Sequence, residues 1–352
     1  MRCANVVGLG LIGGSLGRAL RDRGWHVSGS DHDPAIPPEA IERGIIDVEG
    51  LDPDAEITFV AVPVLAAADA VRSALAATSG IVTDVGSVKT PICTAITDCR
   101  FVGGHPMAGS ELDGLDGADP QLFDSAIWVL TPDDDADDQT FTALTAIITE
   151  LGSEVVAIAP ERHDEVVAVV SHVPHLTAAT LMGLAADRSI QNAALLRLAA
   201  GGFRDMTRVA SGRPDIWLDI CAENRTAIVG ALSHLIDDLG EVRSAIEQGD
   251  REGLFERLSN ARTARRNLPS RVVHPETIAE VRIPIPDRAG AAAEVFTLAA
   301  DLGVNIANFE VVHVAESSRG GVAVVLVDQS HAELFRGGLL ARGFHPSVQA
   351  LS

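Results

Sequence analysis

The stretch Val6-Val7-Gly8-Leu9-Gly10-Leu11-Ile12-Gly13-Gly14-Ser15 decides how the first half of the chain is read. It places G-x-G-x-x-G directly after an apolar run and at the opening of an amphipathic one. Gly8 permits a tight turn, Gly10 lets the backbone approach a pyrophosphate, and Gly13 allows a helix to pack closely on a strand. Leu11 and Ile12 begin that helix, whose N-terminus supplies unpaired N–H donors. Eighteen residues beyond Gly13 the next apolar run ends in Ser30-Asp31, where a carboxylate accepts hydrogen bonds from an adenosine ribose. Asp31 repels a 2′-phosphate, which favours NAD over NADP, and His32 beside it softens that preference. Reading the glycines as a plain turn between packed elements leaves Asp31 unexplained.

Outward from this turn, Asn5–Val7, His26–Ser30, Ile57–Val62, Ile81–Val85, Phe101–Gly103, Ile127–Thr131 and Glu154–Ala159 read as strands, with helical patterns such as Leu11–Arg23 and Leu65–Ala77 between them. The alternation predicts an α/β fold, with a Rossmann-type, mostly parallel sheet domain over residues 1–159. The acidic run Pro132–Asp138 reads as a solvated loop. From 160 to 273 the periodicity is helical throughout, including the long stretch Ile216–Gln248, and predicts a second, all-helical domain. Ser270–Pro275 resembles a linker. Residues 277–352 read strand, helix, strand, strand, helix, strand, a small α+β unit of βαββαβ order.

A chain of 352 residues fits two or three domains and a substantial core. Its net charge of −22 opposes a phosphate backbone, so neither nucleic acid nor an anionic membrane is an expected partner. The apolar stretches are broken by charge or Gly/Pro short of a bilayer span, and no signal peptide is recognisable; a soluble, cytoplasmic protein is expected. Cys3, Cys93, Cys99 and Cys221 lack metal or disulfide spacing and read as reduced thiols, and no metal site is predicted. Lys89 is the only lysine, so any lysine mechanism must use it; its position after Ser87 places it near substrate or cofactor, and the plainer alternative is that it only solvates its loop.

Asp84-Val85-Gly86-Ser87-Val88-Lys89 and Gly103-Gly104-His105-Pro106-Met107-Ala108-Gly109-Ser110-Glu111 each follow a predicted strand. In an open α/β sheet ligands sit at the carboxyl ends of strands, so Ser87 and His105 are placed to face the nicotinamide end of the cofactor. In the helical part, Ser171-His172-Val173-Pro174-His175 opens a helix, and Gly201-Gly202-Phe203-Arg204-Asp205-Met206-Thr207-Arg208 precedes Trp217. Removing hydride from a carbinol carbon needs a base for its hydroxyl, and an imidazole suits neutral pH. An anionic substrate in an acidic protein needs a dedicated cation, for which Arg208 is the best placed. The plainer alternatives are a turn histidine at 105, a helix cap at Ser87, an Arg208–Asp205 ion pair, and Trp217 as core. His172 and His175 lack a third ligand for a metal.

With these motifs in order, the chain resembles the prephenate/arogenate dehydrogenase family of tyrosine biosynthesis over roughly its first 270 residues. The match is carried by Gly8–Ser15, Val85–Lys89, Gly103–Glu111, Ser171–His175, Gly201–Arg208 and Trp217. The resemblance implies NAD-dependent dehydrogenation of a cyclohexadienol at C4 with loss of the ring carboxylate. It implies His105 as the base and Ser87 as the residue orienting hydroxyl and histidine. Arg208 would hold the ring carboxylate with Asp205 as its buttress, Ser171, His175 and Trp217 would shape the pocket around the side chain, and Glu111 would gate the entrance. Arg204 departs from the lysine common in the family, which alters any contact made there. A homodimer formed by the helices is also implied.

The unit from about Thr277 resembles, more weakly, the ACT family of amino-acid-binding domains, through Pro286–Gly290 and Gly303–Ile306. That resemblance implies an effector site at Asp287, Gly290 and Asn305, with tyrosine or phenylalanine as effector; a domain that only extends the dimer interface is the alternative. A β-hydroxyacid-type dehydrogenase is disfavoured by the missing second-domain lysine, and a non-catalytic metabolite sensor has no need of a base at His105. Prephenate is favoured over arogenate because His175 lacks the fixed negative charge an ammonium group would want.

Overall fold

The computed structural model describes residues 1–110, 112–132, 137–189, 199–267, 278–286, 288, 290–313 and 320–350. Glu111, Asp287 and the expected linker 270–275 lie outside the described residues. The chain forms two compact units, Met1–Arg251 and Glu252–Ser352.

The first unit is built on strands β1 (Cys3–Val7), β2 (His26–Ser30), β3 (Val48–Glu49), β4 (Ile57–Val60) and β5 (Ile81–Asp84), all parallel in the order β3-β2-β1-β4-β5. A parallel sheet is covered on both faces, and β4 is accordingly buried at every position. Leu16, Ala19 and Leu20 of the helix Leu11–Asp22 pack on it. A second, mixed sheet contains β6 (Gly103–Pro106), β7 (Ile127–Thr131) and β8 (Glu154–Ala157), with β6 antiparallel to β7 and β7 parallel to β8. This corrects the sequence reading at one point. Phe101 makes only an isolated bridge to Val82, and the strand begins two residues later, so that His105 lies within β6 instead of after it.

Beyond β8 the unit is helical, as the periodicity requires. Pro160–Val167, a π-helical turn at Ala168–His172 and Val173–Ser189 run on without a break. Pro174 therefore sits inside a helical run, not at a helix start. Its ring nitrogen donates no hydrogen bond and its ring crowds the carbonyl four residues back, and a widened turn just ahead relieves both. The span Pro160–Asp187 is long and apolar enough to cross a membrane, contrary to the expectation that charge interrupts every such run. It nevertheless carries His163, Asp164 and His172, all buried against polar partners of the same unit. The expected long stretch over Ile216–Gln248 is two helices, Pro214–Glu223 and Arg225–Gln248, parted at Asn224, whose side chain turns inward.

The second unit holds β9 (Ile278–Pro286), β10 (Ile306–His313), β11 (Gly320–Asp328) and β12 (Ser347–Ala350), antiparallel in the order β10-β11-β9-β12. The helices Ala291–Asp301 and Gln329–Ala341 separate them in sequence, which is the predicted βαββαβ order. Val281, Ile283, Val295, Val325, Phe335 and Leu339 form its core.

Candidate active site

Gly8 has φ +87°, and a Cβ there would meet the Ala61 carbonyl oxygen at 2.4 Å; a Cβ on Gly13 would meet the Gly8 oxygen at 1.8 Å. Both places demand glycine. Nothing lies within 4 Å of a Cβ built on Gly10, so the backbone there is open to a ligand. Gly10 caps the helix Leu11–Asp22 without a side-chain hydrogen bond, and no acidic residue stands in the first turn. Leu11, Ile12 and Gly13 thus begin a helix end suited to an anion. The Asp31 carboxylate accepts from the Leu9 amide at 2.7 Å and the Asp33 amide at 3.0 Å, and lies 2.9 Å from His32 Nδ1. It is thereby fixed beside the glycine turn. An open helix end next to a fixed carboxylate fits a dinucleotide, with the pyrophosphate at the amides and the ribose at Asp31.

Ser87 is half-buried in the loop that leaves the carboxyl end of β5. The loop is tied down from within. Asp84 accepts the Gly86 amide at 2.8 Å and the Gly104 amide at 3.2 Å and is ion-paired with Lys89, whose ammonium also donates to the Gly104 carbonyl at 2.8 Å. Lys89 is 0% exposed. The expectation that it solvates its loop is therefore wrong: the four-carbon stem crosses the core, and the buried carboxylate compensates the buried charge. Through this pair the Ser87 loop and the strand carrying His105 are joined at Gly104.

His105 Nδ1 lies 2.8 Å from His163 Nε2, and His163 Nδ1 lies 2.8 Å from Asp164 Oδ1. The rings meet edge to face at 5.1 Å. Asp164 also accepts the backbone amides of Lys89 and Thr90, each at 2.8 Å. Burial pushes the His105 imidazole well below its usual pKa, with the His163, Lys89 and His172 charges adding to the effect, so the ring is neutral at pH 7. Burial alone would raise Asp164, but hydrogen bonds from His163, Thr90 and Lys89 outweigh it and hold the carboxyl below its ordinary value. His172, pushed down to about 4 mainly by burial, contacts Asn224 Nδ2 at 3.2 Å. Sequence reading missed His163, Asp164, Asp84 and Asn224. The only signal was a His-Asp pair one turn into a proline-initiated helix.

The helical residues form a second cluster. His175 stacks on Trp217 with ring centroids 3.6 Å apart, and His172 meets the other ring edge-on at 6.0 Å. Ser171 is half-buried in the π turn beside them. Arg208 stands exposed at the start of the 3-10 turn Arg208–Ser211. Gly212, just past that turn, lies so close to His175 and Trp217 that a Cβ on it would press on both at 3.2 Å. Arg204 is exposed one turn earlier, and its Nε donates to the Ala199 carbonyl at 3.4 Å. The structure thus gathers Ser171, His175, Trp217 and the Arg208 turn in one place, and His105 with the Ser87 loop in another, both within the first unit. Among the described residues no cluster of potential metal ligands occurs.

Two family models match in sequence order: the prephenate dehydrogenase nucleotide-binding domain over residues 16–157 and the prephenate dehydrogenase dimerization domain over residues 159–260. The prephenate dehydrogenase of Bacillus subtilis (strain 168) is 32% identical over 334 residues, which cover 90% of this chain and 89% of that protein. The crystal structure of prephenate dehydrogenase from Aquifex aeolicus in complex with hydroxyphenyl propionate and NAD+ is 29% identical, with a TM-score of 0.71, 76% of this chain covered and 99% of that one. The Synechocystis arogenate dehydrogenase structure is 32% identical, with a TM-score of 0.65, 75% of this chain covered and 99% of that one. With both domain models met in order and a third of the sequence shared across nine-tenths of a relative, the chain belongs to the prephenate dehydrogenase family.

Proposed function

We propose that the chain catalyses the NAD-dependent oxidative decarboxylation of prephenate to 4-hydroxyphenylpyruvate, a step of L-tyrosine biosynthesis. The observation that carries this is the neutral, half-buried His105 joined to the Ser87 loop at the carboxyl end of β5. His105 takes the proton of the C4 hydroxyl, and Ser87 orients that hydroxyl toward it. Bound NAD, held by Gly8, Gly10, Leu11, Ile12, Gly13 and Asp31, supplies the hydride acceptor. Arg208 holds the ring carboxylate until it leaves as CO2, and aromatisation makes that loss favourable without an acid or metal. Ser171, His175 and Trp217 line the side-chain end, Arg204 adds a cation there, and Glu111 gates the entrance. The test is to mix purified protein with prephenate or arogenate and with NAD or NADP, and follow the reduced cofactor. Fastest turnover of prephenate with NAD is expected; no turnover of either substrate would overturn the reading.

Arogenate is the second reading, favoured by the Synechocystis neighbour. Against it, His175, whose pKa burial lowers, supplies no negative charge to attract an ammonium group.

The finer organisation belongs to the same proposal: a dinucleotide domain over 1–159, a helical domain over 160–273 and an ACT-like domain over 277–352. Val229, Ile236, Leu239 and Ile246 stand exposed at near-heptad spacing along Arg225–Gln248, which supports a homodimer through that helix. Regulation by tyrosine or phenylalanine is supported by Gly290, which begins the helix Ala291–Asp301 at φ +85° without a side-chain cap, and by exposed Asn305 before β10; Asp287 would complete the site. Titrating both amino acids against the full chain and one ending near Val273 tests it. Equal inhibition of the two would place the effector in the active site.

A further inference from the structure

Behind His105 stands a chain of polar groups that the reaction as described does not use. His163 is 0% exposed and Asp164 5% exposed, and each makes its bonds inward. Groups so buried and fully partnered hold one geometry, because any other leaves a polar atom unpaired. One hydrogen is fixed by the donors around Asp164. Its two oxygens accept the Lys89 and Thr90 amides and face His163 Nδ1, so the carboxylate acts as acceptor and His163 Nδ1 must carry a hydrogen. With hydrogen on Nδ1 alone, His163 presents its Nε2 lone pair to His105, whose Nδ1 then donates. That leaves His105 Nε2 as the bare nitrogen of the ring.

We propose that His163, anchored by Asp164, is a positioning residue that fixes His105 in the tautomer with Nε2 free to act as base. The inference rests on His105 being that base. As Nε2 accepts the substrate hydroxyl proton the ring becomes imidazolium; its Nδ1–H stays in place, no proton moves along the chain, and the new charge is balanced by the Asp164 carboxylate one residue beyond. The same carboxylate holds the Lys89 and Thr90 amides, so the base and the Ser87 loop are referred to one anchor.

Three variants and one spectrum test this. His163→Leu removes the acceptor and is expected to lower kcat by about 10²-fold while the KM for prephenate and the Kd for NAD move little. His163→Gln keeps an amide oxygen for His105 Nδ1 and is expected to recover most of the loss. On a His105→Asn background, His163→Leu is expected to cost nothing further. Wild-type kcat in His163→Leu, or an equal loss on both backgrounds, would overturn the proposal and leave His105 as base. A wild-type kcat in His105→Asn would remove the base assignment itself, and this proposal with it. Should His163→Leu fail to fold, long-range 1H–15N spectra of histidine-labelled wild type decide, with the two rings assigned by His105→Asn and His163→Gln. Hydrogen on Nδ1 of both neutral rings is expected; a His163 imidazolium or hydrogen on His105 Nε2 would refute the proposal.

Discussion

His105 is bonded from behind through His163 to Asp164, with the Lys89–Asp84 pair clamping the backbone beside it, whereas Arg208 stands exposed on a four-residue 3-10 turn. The contrast follows from what each does in the proposed reaction. Proton removal depends on the direction of one lone pair, which tolerates little error, so its ring is built into the core before substrate arrives. Binding a carboxylate depends mainly on charge, which a guanidinium carries at the surface as well as in the core. The buried end has a cost, since burial disfavours the imidazolium form of His105.

The sharpest way to break this contrast is at the buried end. His105→Asn is expected to reduce kcat by ~10²–10⁴-fold with NAD binding nearly intact, measured by steady-state kinetics and cofactor titration. Arg208→Gln should lower kcat/KM by ~2–5 kcal/mol in apparent transition-state energy, because the substrate carboxylate loses its partner; an unchanged kcat/KM in the folded variant would take Arg208 out of the site.

The depressed pKa of buried His172 turns the same contrast into a pH dependence. The unfolded chain protonates this residue near 6.5 and the folded one only at about 4, so between those values the unfolded state binds more protons. Stability conferred above pH 6.5 is therefore lost as pH falls toward 4, by up to about 3 kcal/mol from this residue. Denaturation of wild type and His172→Asn at pH 7.5, 5.5 and 4 checks the sign: the variant should lose less on acidification. The smallest change is expected at the cofactor end. Asp31→Ala should weaken NAD binding and raise relative NADP use, read as the ratio of kcat/KM for the two cofactors.

The sheet was legible because its signals are local. Glycine spacing, Asp31 at a strand end and alternating apolar runs each report on neighbours in sequence, and β2 and β7 begin and end where the pattern puts them. The ends of β6 were not, since Gly103-Gly104 carries no apolar signature and is held by contacts to Asp84 and Lys89 some twenty residues away. The candidate residues His105, His175, Trp217 and Arg208 were readable through motif resemblance. His163 and Asp164 were not, for a His-Asp pair in an acidic helix looks like solvated surface until the fold turns it inward. Lys89 misled for the same reason: a single charged residue after a loop serine gives no sign of a buried partner five residues earlier.

That burial makes the protein unusual toward reagents. All but one of its 27 basic Lys and Arg side chains are guanidinium groups, and the sole lysine amine is sealed in the core. Acylating reagents that modify primary amines will find no lysine on the folded molecule, so each acylated Lys89 records one opening of the first unit. The growth of that adduct in a mass spectrum is a clock for breathing around the base.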